Sequence, residues 1–206
     1  MTLLAVASTS IERVRGDLVV IPLFSDERPL RAAAGRVDWR LCGHLSRLFA
    51  DGTLSGEAGE AVLIPGGGGL RAPRVMGLGV GTRRALADSA AWTAWAKDAL
   101  GRSQRLGARR IALALPECRE AVAERLQELA AVLSEETASE LWICLEGADQ
   151  ISGNAWLDRT ARRGRFPQLE IQPLPEGRIP PGSSLRSRAG APDARSSHAS
   201  ADRFTR

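Results

Sequence analysis

Two glycine stretches are the residues of this sequence best suited to chemistry. Gly66-Gly67-Gly68-Gly69 follows Pro65. Four residues without a Cβ let a backbone come close to a phosphate and expose several N–H groups to it. The run leads through Leu70-Arg71-Ala72-Pro73 into an apolar segment that reads as a strand. No helix N-terminus therefore stands behind it to hold an anion. A flexible turn between two strands is the plain reading, and a ligand loop the sharper one. Gly77-Leu78-Gly79-Val80-Gly81-Thr82 lies between a strand pattern and a helix pattern, the right setting for a dinucleotide loop. Its G-x-G-x-G spacing is one residue short of G-x-G-x-x-G, and about 20 residues on, where an acid belongs, stands Arg102. Close packing at a tight strand-to-helix turn is the alternative. No cofactor and no cofactor-binding residue is assigned from either motif.

The titratable residues form few constellations. The histidines are His44 and His198, and His44 has no Cys, Asp or Glu three or four residues away. That is thin material for a metal site or a histidine-based triad. Cys42, Cys118 and Cys144 are odd in number, far apart and outside any C-x-x-C pair, which reads as reduced, buried thiols. Ser25-Asp26-Glu27 and Glu135-Glu136 read as solvated acidic pairs. Arg159, Arg162, Arg163 and Arg165 form a basic cluster. It could meet phosphates of a nucleic acid, with Trp156 and Phe166 as the only nearby aromatics, or it is a solvated segment before a tail. Trp92 and Trp95 read as core residues. No catalytic residue and no metal ligand is assigned.

These residues need a scaffold, and 206 residues supply one domain and an appendage. The hydrophobic fraction of 44% and charged fraction of 25% are ordinary for a globular chain. No apolar run approaches the ~20 residues of a membrane span. The N-terminal stretch lacks a basic segment ahead of its apolar one, so no signal peptide is expected. Residues 1–150 carry 18 Lys+Arg and 19 Asp+Glu, whereas residues 151–206 carry 10 and 5. The basic character belongs to the C-terminal quarter. Lys97 is the only lysine, a bias that GC-rich coding explains more simply than phosphate recognition.

Apolar runs at 2–8, 17–24, 60–64, 74–78, 109–115 and 141–145 read as strands, with a further one at 166–172. The run 17–24 is almost continuously apolar, as in a strand covered on both faces. Leu30, Ala34, Val37, Leu41, Leu45 and Leu48 recur at helical spacing and predict one helix over 29–50. A second helix is expected over 86–106. A third is expected to open at Pro116 and to bury Val122, Leu126, Leu129 and Leu133. Strands alternating with helices imply a layered α/β sandwich, and the glycine turn implies one antiparallel pair. From about residue 174 Pro, Gly, Ser and Arg dominate, and such a segment cannot bury enough surface to offset its ordering entropy. The division expected is a domain over 1–173 and a disordered tail over 174–206.

Four segments resemble the N-terminal domain of the leucine (cytosol) aminopeptidase family: DLVVIPLF (17–24), SGEAGEAVLIP (55–65), RAPRVMGLGVGTR (71–83) and RLGARRIALALP (105–116). The resemblance runs from Gly16 to Pro116 and implies a macro-domain-like fold: a three-layer α/β sandwich with a mixed, mostly parallel sheet. That family places catalysis in a separate domain, with a lysine, acidic metal ligands and an Asn-Thr-Asp-Ala-Glu-Gly-Arg stretch that this sequence lacks. The resemblance therefore implies a non-catalytic interaction or regulatory module in the cytoplasm, without a metal or cofactor of its own, pairing with a protein partner or with itself. In some members this region is linked to DNA binding. A macro-like fold also implies an alternative, the binding of an ADP-ribose or nucleotide ligand. Nucleic-acid binding through the basic segment 159–165 stands third.

Overall fold

The structure, a computed structural model, describes residues 2–7, 9–116, 121–135, 140–145, 148–163 and 169–174. Among the described residues seven strands form one sheet: β1 (Thr2–Ala7), β2 (Leu18–Phe24), β3 (Ala61–Pro65), β4 (Arg74–Gly81), β5 (Arg110–Ala114), β6 (Glu140–Cys144) and β7 (Leu169–Leu174). Their order is β3-β4-β2-β5-β6-β1-β7. Only the β3–β4 pair is antiparallel, and it is joined by the glycine turn. All other pairs are parallel. The mixed, mostly parallel α/β sandwich expected from the sequence is the observed fold.

The alternation of side chains along each strand builds two cores. Val20, Ile111, Leu113, Leu141 and Ile143 face one way. Helices α4 (Ser89–Arg105), α5 (Val122–Glu135) and α6 (Ala148–Arg163) cover that face through Trp92, Leu126, Leu129, Trp156 and Leu157. Val19, Ile21, Ala112, Ala114 and Trp142 face the other way. There α1 (Ala32–Arg40) and α2 (His44–Ala50) close the sandwich with Ala34, Val37 and Leu45. Each fully buried Leu or Ile contributes roughly 1.5–3 kcal/mol. Every residue of β2 is buried, as a central parallel strand requires. Its Pro22 lies beyond Val20, the last residue paired with β5, where the sheet loses little from the missing N–H.

Several elements differ from the sequence expectation. The helix expected over 29–50 is two helices. Cys42 (φ 55°) and Gly43 (φ 75°) take the left-handed conformation and break it, and the chain restarts with the Asp38 carboxylate accepting the backbone N–H of Ser46 at 3.2 Å. The helix expected over 86–106 is preceded by a single turn, α3 (Arg83–Leu86). The two are separated because Thr82 and Asp88 each cap a helix start, accepting from Ala85 N (3.2 Å) and Ala91 N (3.0 Å). Pro116 does not open the third helix, which begins at Val122. Helix α6 has no counterpart among the expected elements; among its residues of described burial, Gly153, Trp156, Leu157 and Thr160 are buried. Among the described residues no helix is long and apolar enough to cross a membrane. Of the segment expected to be a tail over 174–206, Leu174 ends β7, and residues 175–206 lie outside the described residues, as do Cys118, Glu136, Arg165 and Phe166.

Candidate functional site

The chain leaves β2 toward α1 on one face of the sheet, while β4 and β5 are followed by helices on the other face. In open α/β sheets, neighbouring strands that exit to opposite faces leave a crevice at their carboxyl ends. A cavity of about 250 Å³ lies there, lined by Phe24, Arg83, Leu86, Ala87, Trp92, Ala121 and Arg125.

Each wall has a local cause. The β2–β4 register shifts between Leu23 and Phe24, and Ser25 N donates to Gly81 O at 2.9 Å, so β2 ends with Phe24 at the cavity. Thr82 starts α3 and brings in Arg83. The Arg83 backbone N–H is met by both Asp26 carboxylate oxygens at 3.2 Å. Its guanidinium bonds Glu27 and lies over the Phe24 ring, 4.4 Å from the centroid. Glu27 is 6% exposed and also accepts the backbone N–H of Arg31 at 2.7 Å. It thus joins the start of α1 to α3 across the end of the sheet. Of the acidic pair expected to be solvated, Asp26 is exposed, but Glu27 is buried, and two donors meet its carboxylate there.

From the α5 side, Arg125 donates to Ala87 O at 2.7 Å and to Glu128 Oε2 at 2.9 Å. Its guanidinium carbon is 5.5 Å from the centre of the Trp92 ring. Ser89 Oγ donates to Glu128 Oε1 at 2.5 Å. This network fastens the start of α4 to α5. Ala121 precedes the first residue of α5, so the N-terminus of a 14-residue helix opens on the cavity. Chemically the arrangement is an apolar recess with the Phe24 ring at its wall, the fully buried Trp92 ring behind it, two guanidinium groups and a helix start whose dipole favours an anion.

Of the residues singled out in the sequence, the cavity takes up Trp92 alone. Trp92 and Trp95 are core residues, with ring centroids 5.2 Å apart. Gly66–Gly69 lies between β3 and the start of β4, at the end of the strands opposite the cavity. Gly77, Gly79 and Gly81 are inside β4, which runs on through the motif instead of ending before it. Gly79 N donates to Glu60 O at 2.7 Å and Gly81 N to Gly56 O at 2.9 Å, so these N–H groups bind the neighbouring loop and not a phosphate. His44 opens α2. Cys144 is buried, but Cys42 is exposed in the break between α1 and α2, against the expectation of a buried thiol, because the left-handed turn carries it outward. Arg159 is exposed on α6, and Arg162 and Arg163 end that helix. Trp156 is buried in the core, so it offers bases no stacking surface there. Among the described residues no three His, Cys, Asp or Glu side chains are grouped to hold a metal ion.

Sequence reasoning missed Arg83 and Arg125, and it read Glu27 as solvated. Only Arg125 left a signal, as an arginine placed three residues after Val122 and one before Leu126 on a buried helix stripe.

Residues 20–142 match the cytosol aminopeptidase family, N-terminal domain. The chain is 35% identical over 77 residues to a probable cytosol aminopeptidase of Nitrosomonas europaea, covering 37% of this chain and 15% of that protein. It superposes on a tomato leucine aminopeptidase mutant with a TM-score of 0.55 and 20% identity, over 80% of this chain and 36% of that one. It also superposes on the Oceanobacillus iheyensis macrodomain with ADP, with a TM-score of 0.58 and 12% identity, over 75% of this chain and 90% of that one. The chain spans about 15% of the curated relative's length and 36% of the tomato chain's. The chain belongs to the cytosol aminopeptidase family through that family's N-terminal domain, which is separate from the catalytic domain, and its fold is macro-domain-like.

Proposed function

We propose that this domain is a binding module whose cavity at the carboxyl ends of β2, β4 and β5 takes a nucleotide-like ligand. The observation that carries the reading is the convergence of Phe24, Trp92, Arg83, Arg125 and the start of α5 on one recess. Aromatic rings suit a base, and guanidinium groups and a helix N-terminus suit phosphate. A macrodomain of the same fold is described with ADP, which supports the ligand class. Calorimetric titration with ADP tests it, using the wild-type chain and Ala121→Trp, which fills the cavity. Saturable binding lost in the variant supports the reading. Equal binding by both, or none by either, removes it.

A second reading, an interaction module that pairs with itself or with an aminopeptidase chain, rests on family membership and on Trp39, 83% exposed on α1. Sedimentation of wild type and Trp39→Ala separates the two readings, because loss of a tryptophan remote from the cavity changes association and leaves ADP binding intact. A cytoplasmic location is part of the proposal, in line with the cytosolic relatives.

A further inference from the structure

We propose that the free edge of β3 pairs antiparallel with the same edge of a second copy of this chain, with Leu63 facing Leu63 across the two-fold axis. The inference rests on the self-pairing reading above and names its surface. It shares no residue with the cavity.

β3 ends the sheet on one side, and among the described residues no strand flanks it there. Which of its backbone groups point outward follows from the pairing with β4. Glu60 O accepts from Gly79 N at 2.7 Å, and Gly66 N donates to Pro73 O at 2.8 Å. Between them the register runs from Ala61↔Leu78 to Pro65↔Arg74. Antiparallel partners alternate between bonded and non-bonded pairs, so Val62 and Ile64 turn their backbone groups to β4. Ala61, Leu63 and Pro65 turn theirs to the open side. The whole strand is apolar, AVLIP, and carries none of the charges that blunt natural sheet edges. Leu63 is 47% exposed.

A second β3 fits this edge. Pro65 has no N–H, so the outward donors are those of Ala61 and Leu63. In the antiparallel register that overlaps the whole strand, Leu63 pairs with Leu63 and Ala61 with Pro65. Every outward N–H then meets a carbonyl, and the proline falls where only its carbonyl is needed. Directly opposite side chains lie on the same face, which brings the two Leu63 side chains together in an isologous contact.

The charges at the two ends fit the same arrangement. Arg40 and Arg71 are exposed at the Pro65 end, Arg40 with its Cβ 3.4 Å from the Cβ position of Gly69. Glu57, also exposed, and Glu60 stand at the Ala61 end. Arg28 and Arg102 reach that end through the carbonyls of Ser55 and Gly59, and Arg102 is paired with Asp98 at 2.8 Å. The Ala61 end is therefore acidic and the Pro65 end basic. An antiparallel pair sets each against its opposite, which favours the second copy as occupant and fixes its direction.

Sedimentation equilibrium of the full chain tests the pairing, with far-UV circular dichroism as the folding control. Leu63→Lys and Leu63→Glu each set like charges directly opposite one another across the axis. Each variant alone should raise the dimer dissociation constant about tenfold. An equimolar mixture of the two should associate about as tightly as wild type, because opposite charges then meet. A variant that merely misfolds is not rescued by mixing. Variants that associate like wild type overturn the proposal and leave self-pairing to another surface. Variants that dissociate, with a mixture that stays dissociated, overturn the contact between the two Leu63 side chains. A wild type that is monomeric throughout removes the edge pairing and the self-pairing reading together.

Discussion

A Cβ placed on Gly79 would stand 2.0 Å from the carbonyl oxygen of Glu57. That approach explains the G-x-G-x-G motif as packing. Gly77 is similarly confined, with Leu23 Cδ1 at 2.6 Å from the Cβ position. The obstacle at Gly79 is backbone, held by Gly79 N to Glu60 O at 2.7 Å, so it cannot swing aside as a side chain would. Gly79→Ala should destabilise the fold by about 3 kcal/mol, the upper end of ordinary overpacking. Gly68→Ala should change stability by less than about 0.5 kcal/mol, since nothing lies within 4 Å of its Cβ position. Urea unfolding of the two variants checks the contrast, and equal losses would contradict it.

Asp38 joins α1 to α2. Its carboxylate accepts Ser46 N at 3.2 Å and Ser46 Oγ at 2.5 Å, satisfying a donor in the first turn of α2 that Gly43, at the cap, cannot reach. Asp38→Ala should lower stability by about 1–2 kcal/mol. Hydrogen exchange should localise the loss to residues 44–50.

The loop 55–60 depends on pH. The Glu60 carboxylate accepts from Ser55 N (2.9 Å), Ser55 Oγ (3.1 Å) and Gly56 N (2.6 Å). Burial alone would raise its pKa, but the hydrogen bonds from Gly56 and Ser55, with a further one from Glu57, outweigh it and hold the group below its ordinary value of 4.5. A depressed carboxylate stabilises the fold fully above the unfolded pKa, and that contribution fades as pH falls through the folded one. The melting temperature of wild type should therefore fall on acidification below about pH 4.5. In Glu60→Gln that part of the acid limb should be missing. An unchanged acid limb would contradict the assignment.

Arg125 holds the cavity wall. Arg125→Met keeps much of the apolar stem but loses the bonds to Ala87 O and Glu128. Hydrogen bonds from a charged donor of this kind contribute about 1.5–3 kcal/mol, so thermal unfolding should show a loss of that order. Ser89→Ala, which removes only the outer bond to Glu128, should lose less. A larger loss in Ser89→Ala would relocate the strut.

Most of the fold was legible in the sequence because strands signal themselves locally. The apolar runs of β2, β5 and β6 need no partner to be recognised. The glycine turn between β3 and β4 likewise marked the antiparallel pair. What was illegible depends on distant residues. Gly43 and Cys42 break a helix whose apolar spacing runs on undisturbed across the break. Helix α6 packs Gly153 against Leu145, a contact with a distant strand end that local spacing does not announce. The cavity was hidden for the same reason: Glu27 and Arg83 are 56 positions apart, and only the β2–β4 pairing brings them together. The glycine motifs owe their composition to backbone crowding or to a turn at the end of the strands away from the cavity.

The indole N–H of Trp92 offers the most direct test of the ligand cavity, because Trp92 forms its wall while Trp142 belongs to the core on the opposite face of the sheet. Nitrogen-15 spectra of the tryptophan indoles should be followed as ADP is added. A saturable shift of the Trp92 resonance, with Trp142 unmoved, is the predicted result. An unchanged Trp92 resonance at millimolar ADP, or a response confined to Trp39, would contradict the account.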